Sequence, residues 1–147
     1  MEISAPPEDV FKIISDLDAW PHHLPHFRWI RVMQNHPDHQ IVRMACFRSC
    51  IPIDWVVRYE SMPGKMEIRF THLKSINRDL QVTWRVEPSK TPGHSIVTTI
   101  HDTTPLVRRW GKTVVEHLIR PFFIDYVAKR ALQSFARHFE LNPPTIP

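Results

Sequence analysis

The sequence predicts an α+β fold: one antiparallel sheet of about seven strands laid against a long C-terminal helix, with two short helices after the first strand. Three observations carry this. From Pro121 to Glu140, Phe123, Ile124, Val127, Ala128, Ala131, Leu132, Phe135, Ala136 and Phe139 share one broad arc at about 100° per residue. Lys129, Arg130, Gln133 and Arg137 fill the other side. From Phe27 to Asp102 the chain breaks into six segments of β-type composition. The breaks between them are short, which favours antiparallel neighbours.

A short strand, Glu2 to Ser4, opens the chain, and a helix begins at Pro6-Pro7-Glu8-Asp9. Acids in the first turn suit the positive end of a helix dipole. Val10, Phe11, Ile13 and Ile14 give that helix its apolar side, and Asp16 to Pro21 stops it. A second short helix reaches Leu24-Pro25. The predicted strands are then Phe27–Asn35, Gln40–Arg48, Ile51–Ser61, Lys65–Lys74, Leu80–Glu87 and Ser95–His101. Ile51, Ile53, Trp55, Val57 and Tyr59 share one face; so do Met66, Ile68, Phe70 and His72, and Leu80, Val82, Trp84 and Val86. The sheet therefore has one wet face and one aromatic-rich inner face. The first two and the last of the six segments are apolar on both parities, so their orientation stays open.

Between the last strand and Pro121, Leu106, Trp110, Val114 and Leu118 recur at four-residue spacing, with Arg108, Arg109 and Lys112 off that stripe. This predicts an amphipathic helical segment, Leu106–Arg120, that bends at Pro121. Proline suits the first position of the final helix, where its missing N–H would be unpaired anyway. Twenty residues at about 1.5 Å each span roughly 30 Å, the length of a nine-residue strand at about 3.3 Å per residue.

One domain over residues 1–147 is the expectation for this length. The opening residues are too polar for a secretory leader and there is no long apolar run, so a cytoplasmic protein is expected. Cys46 and Cys50 flank the end of one strand and are expected as reduced thiols. Only three glycines occur, against fourteen prolines, and no glycine-rich phosphate loop is present, so no nucleotide cofactor is expected. The net charge of +4 is concentrated towards the C-terminus, without a nucleic-acid-binding motif. Among ten histidines, His22, His23 and His26 cluster, but Pro21 and Pro25 interrupt any helix that would align them on a metal.

The order of elements resembles the helix-grip fold of START lipid-transfer domains and the birch-pollen-allergen superfamily. Four stretches carry the resemblance: Ile3-Ser-Ala-Pro-Pro-Glu-Asp-Val-Phe-Lys-Ile-Ile-Ser-Asp16; Trp20-Pro-His-His-Leu-Pro25; Val82-Thr-Trp-Arg-Val-Glu-Pro88 with Gly93-His-Ser-Ile-Val-Thr-Thr-Ile-His-Asp102; and Phe123-Ile-Asp-Tyr-Val-Ala-Lys-Arg-Ala-Leu-Gln-Ser-Phe135. The chain looks nearest to the polyketide cyclase/dehydrase and lipid-transport family, which includes coenzyme Q-binding START proteins. The very short first strand and the basic segment before Pro121 depart from the pattern.

The resemblance implies a curved sheet wrapped around the long helix with a cavity between them. Trp55, Tyr59, Phe70, His72, Trp84, Phe123, Ile124 and Val127 are the expected lining, with Phe135 nearby; Phe123 and Val127 would face the cavity while Ala128, Leu132, Phe135 and Phe139 seal the core. It implies a carrier or sensor for a lipid, isoprenoid quinone or polyketide-like ligand. The alternative is a cyclase, aromatase or dehydratase, in which polar cavity residues help enolisation and water loss. Tyr59 and His72 are the catalytic candidates, with Arg43 and His101 behind them. A third reading is an interaction module with a closed core. Leu106–Arg120, with Trp110 on the apolar side and arginines opposite, is a candidate for peripheral membrane contact. The protein is expected as a monomer or homodimer.

Overall fold

The computed structural model describes residues 1–144. Seven strands form one sheet: β1 Glu2–Ile3, β2 Phe27–Asn35, β3 Gln40–Arg48, β4 Ile51–Met62, β5 Glu67–His72, β6 Gln81–Pro88 and β7 Ser95–Asp102. The spatial order is β1-β7-β6-β5-β4-β3-β2 and every pairing is antiparallel. Strands β2 to β7 are thus a meander, and β1 adds to the free edge of β7. The chain must then cross from one edge of the sheet to the other between β1 and β2. Helices α1 (Pro7–Ser15) and α2 (Trp20–His23), joined by one 3₁₀ turn at Leu17–Ala19, make that crossing. α1 lies by β6 and β7, and α2 reaches β2.

The inner face is the predicted one for β4, β5 and β6: Val57, Tyr59, Ile68, Phe70, Val82, Trp84 and Val86 are all buried. Tertiary packing settles two of the three strands that periodicity left open. Val42, Met44 and Cys46 of β3 point inward, as do Ser95 and Val97 of β7. Arg43 therefore points outward, where its Nε donates to Asp54 Oδ2 at 2.7 Å. This corrects its candidacy as a cavity residue; a one-residue step along a strand reverses the face. Cys46 and Cys50 are free thiols, the first buried and the second exposed.

The C-terminal region differs from the expectation in one respect. Helix α3 (Thr104–Trp110) ends at Gly111, whose φ of +83° and ψ of 154° lie in a region open essentially to glycine alone. Helix resumes at once as α4 (Lys112–Val114), continues as a π-helical stretch, Val115–Ile124, and becomes α5 (Asp125–Leu141). The break predicted at Pro121 thus falls ten residues earlier, at Gly111, and Pro121 is inside the helical run rather than at its first position. In α geometry its ring would press on the carbonyl one turn back. The wider π turns relieve that clash, and the Asp125 N–H closes the stretch on the Arg120 carbonyl. The inward stripe of α5 is Ala128, Ala131, Phe135 and Phe139, with Ile124 just before it.

Candidate functional site

Trp20 is the hub on which the concave face is arranged. Its ring centroid lies 5.5 Å from Phe27, 5.6 Å from Phe70, 5.7 Å from Trp84 and 5.6 Å from Phe135. Its indole Nε1 donates to the Ile14 carbonyl at 2.9 Å, so the polar atom is satisfied inside the core. One α2 side chain therefore wedges between the sheet and α5. Beyond the wedge the two layers do not close.

The remaining space is a cavity with about 80 Å³ open to the centres of water-sized atoms. The sheet contributes Phe27, Met44, Ile53, Trp55, Phe70, Val82 and Trp84; the helical run contributes Phe123, Ile124, Val127, Ala128 and Ala131. Alanines at 128 and 131 keep the helix side low, which is how a tightly gripped helix still leaves room. Ala128, expected to seal the core, is part of the wall instead. Among the sequence candidates, Trp55, Phe70, His72, Trp84, Phe123, Ile124 and Val127 are brought together here.

Tyr59 is not, and this corrects its assignment. It sits on the same face of β4 but further along, where its hydroxyl donates to the Ser15 carbonyl at 2.8 Å. Burial pushes its pKa up to about 12. It caps the last turn of α1 and packs on Phe70 at 5.3 Å.

Three polar side chains line one end of the cavity: His72 at the end of β5, Asn77 in the β5–β6 loop and His101 near the end of β7. His72 packs on Trp55 with ring planes 24° apart. Burial, and secondarily the charge of His101, brings the His72 pKa down to about 4. His101 is lowered first by burial and then by Arg120, against the pull of Asp125. Both shifts favour the neutral imidazole. His72 Nδ1 and Asn77 Oδ1 are enclosed and have no hydrogen-bond partner. Buried polar atoms are almost always paired, so two orphans on one cavity wall are a demand for a ligand group or water.

Asn77, Trp20 and Leu80 line the cavity without being among the lining residues expected from the sequence. Asn77 lies in a turn-forming stretch, where asparagine is ordinary. Leu80 was legible as inward, at the head of its strand. Trp20 stood out only as part of a Trp-Pro turn.

Outside the cavity runs an apolar groove lined by Ile76, Trp110, Val114, Leu118, Ile119 and Phe122, with Arg48 and His117 at its edge. Phe123 belongs to both walls and separates the two spaces. Arg48 straps the end of β3 to the helix, donating Nε to the Phe122 carbonyl at 2.7 Å with its guanidinium 3.9 Å from the Phe122 ring centroid. Among the described residues no three potential metal ligands converge. His23 turns towards His138 and Phe135, while His26 is buried against Phe27. Among the described residues no helix is long and apolar enough to cross a membrane.

A sequence profile for polyketide cyclases/dehydrases and lipid transport matches residues 3–139. Among solved structures, a protein of Thermus thermophilus is similar over 96% of this chain and 94% of its own, with 17% identity and a TM-score of 0.70. The Zhui aromatase/cyclase of a Streptomyces species matches over 99% and 94%, at 12% identity and a TM-score of 0.70. Norcoclaurine synthase from Thalictrum flavum matches over 95% and 83%, at 11% identity and a TM-score of 0.68. At such identities the likeness is one of fold. No curated protein matches by sequence.

Proposed function

The chain belongs to the polyketide cyclase/dehydrase and lipid transport family, and from that premise we propose that it binds a hydrophobic small molecule between sheet and helix, as a carrier or sensor. A lipid, an isoprenoid quinone or a polyketide-like ring compound fits the description. The observation that carries this reading is the cavity itself: an apolar wall with a few convergent polar groups is the usual form of a small-molecule site. A closed-core interaction module would have no use for it. Mass spectrometry under native conditions, after mild purification, should show a co-purified apolar adduct. Without an adduct, a stripped sample should enhance the fluorescence of 8-anilinonaphthalene-1-sulfonate. The absence of both signals would sink the proposal.

A second reading, a cyclase or dehydratase, is favoured by the two histidines on the cavity wall. In it His72 and His101 replace Tyr59 as the acid–base groups, because among the described residues they are the titratable side chains on the cavity wall. His72→Phe and His101→Phe should each abolish turnover of a poly-β-ketone; full activity in both would end this reading.

The segment Leu106–Arg120 fits a carrier that loads at an anionic lipid surface. Leu118 is 64% exposed, Trp110 44% and Val114 37%, beside Arg108 and Lys112.

A further inference from the structure

The backbone of the β5–β6 loop explains why Asn77 meets His72. The His72 N–H donates to the Leu80 carbonyl at 2.9 Å and the Asp79 N–H returns to the His72 carbonyl at 2.9 Å. The Leu80 N–H closes on the Asn77 carbonyl, also at 2.9 Å. The loop is thereby folded back on the end of β5, and both residues line the same cavity.

Helix α3 then holds the two neighbours of Asn77. Trp110 Nε1 donates to the Ile76 carbonyl at 3.1 Å, and the Arg109 guanidinium donates to the Arg78 carbonyl at 3.0 Å and to Asp79 Oδ2 at 2.9 Å. With the carbonyls on either side of it fixed, Asn77 has a set position against the cavity. Its Oδ1 is nevertheless left without a donor, and His72 Nδ1 without a partner.

We infer that His72 and Asn77 form a hydroxyl-selective end of the cavity, taking an apolar ring ligand that bears a free hydroxyl, phenolic or enolic, in preference to one bearing only a carbonyl or ether oxygen. The inference rests on the cavity being a binding site. Asn77 Oδ1 accepts only, so it requires a donor. In neutral imidazole one nitrogen carries a proton. With that proton on Nδ1, a single ligand hydroxyl satisfies both residues, donating to Asn77 and accepting from His72. An ether, ketone or quinone oxygen pairs with His72 but leaves Asn77 unpaired. A hydrocarbon leaves both unpaired. Arg109 and Trp110 act as positioning residues, through the loop rather than on the ligand.

The test compares 1-naphthol, 1-methoxynaphthalene and 1-methylnaphthalene, three compounds of nearly one shape, by calorimetry or dye displacement. The wild type should bind 1-naphthol about tenfold or more tightly than either analogue, the usual consequence of leaving a buried polar group unpaired. The readout in each variant is the ratio among the ligands, not the affinity. Asn77→Leu, or Asn77→Ala should the first fail to fold, should bring naphthol and its methyl ether to within about twofold. His72→Phe should remove the advantage of the ether over the hydrocarbon. Trp110→Phe, which loses the bond to Ile76 and trims a ring that lines the outer groove, should lower the naphthol preference without touching the cavity wall.

Equal binding of all three compounds by the wild type would overturn the hydroxyl selection and leave the cavity reading standing. Binding of none would overturn both. An unchanged naphthol-to-ether ratio in the Asn77 variant would remove Asn77 from the site.

Discussion

Replacing His72 by phenylalanine gives a stability change whose pH dependence follows from the structure. The imidazole lies among Trp55 on β4, Asn77 and Leu80 in the β5–β6 loop, Val82 on β6 and His101 on β7. Its folded pKa is about 4, chiefly through burial, against an ordinary value of about 6.5 in the unfolded chain. The unfolded state therefore binds the proton more tightly, and stability is lost as pH falls through the interval from about 6.5 towards about 4. At about 1.4 kcal/mol per factor of ten in proton affinity, the loss between pH 7.5 and pH 5 is about 2 kcal/mol. Phenylalanine cannot take up the proton, so the variant should lose about 2 kcal/mol less than the wild type over that range. Urea unfolding followed by tryptophan fluorescence at half-unit steps of pH measures the difference. His26, also brought down to about 4 mainly by burial, titrates in both proteins and cancels. Parallel stability curves for the two proteins would refute the reasoning, because they would mean that His72 is protonated as readily folded as unfolded.

Gly111→Ala should cost about 1–3 kcal/mol in urea unfolding: a Cβ there meets no atom within 4 Å, but the backbone angles are ones only glycine adopts readily. No loss would mean the α3–α4 junction relaxes freely. Tyr59→Phe should cost about 1 kcal/mol, the bond to the Ser15 carbonyl, while leaving the affinity for an apolar dye unchanged. A large fall in dye affinity would return Tyr59 to the site. Leu118→Glu should reduce co-sedimentation with anionic vesicles several-fold at low salt, since it sets a carboxylate on the most exposed apolar position of that segment. Unchanged sedimentation would take the segment out of any lipid-loading step.

Much of the fold was legible because its signals are local. The alternation in Ile53 to Tyr59 and in Leu80 to Val86 reports one dry and one wet face wherever the strand ends up, and it matched the burial observed; Ile51, expected on the same face, is 48% exposed because it lies at the end of the strand, beyond the packed layer. Strand β3 was illegible for the opposite reason: Val42 and Met44 are buried, yet Ala45 is fully buried too, so apolar residues occupy both parities. Pro121 misled because its local meaning, a helix start, was overridden by a π-helical stretch that absorbs the ring without ending the helix. For the site, the aromatic wall at Trp55, Phe70 and Trp84 followed from strand parity. Tyr59 has the same parity as Trp55, but parity gives the face and not the position along it. Four residues further on, the floor is α1 rather than open space.

The sequence by itself determined the order of the strands, their bounds to within two residues at either end, the inner face of the central strands and the apolar arc of the last helix, because each depends on residues a few positions apart. Only the tertiary structure decided that the arc is gripped incompletely, that Trp20 props the layers apart, and that His72 and Asn77 meet on a wall with two polar atoms unpaired. The last depends on Arg109 and Trp110 holding a loop about thirty residues away in the chain. Periodicity carries no information about what stands opposite a side chain, and what stands opposite is what makes a cavity.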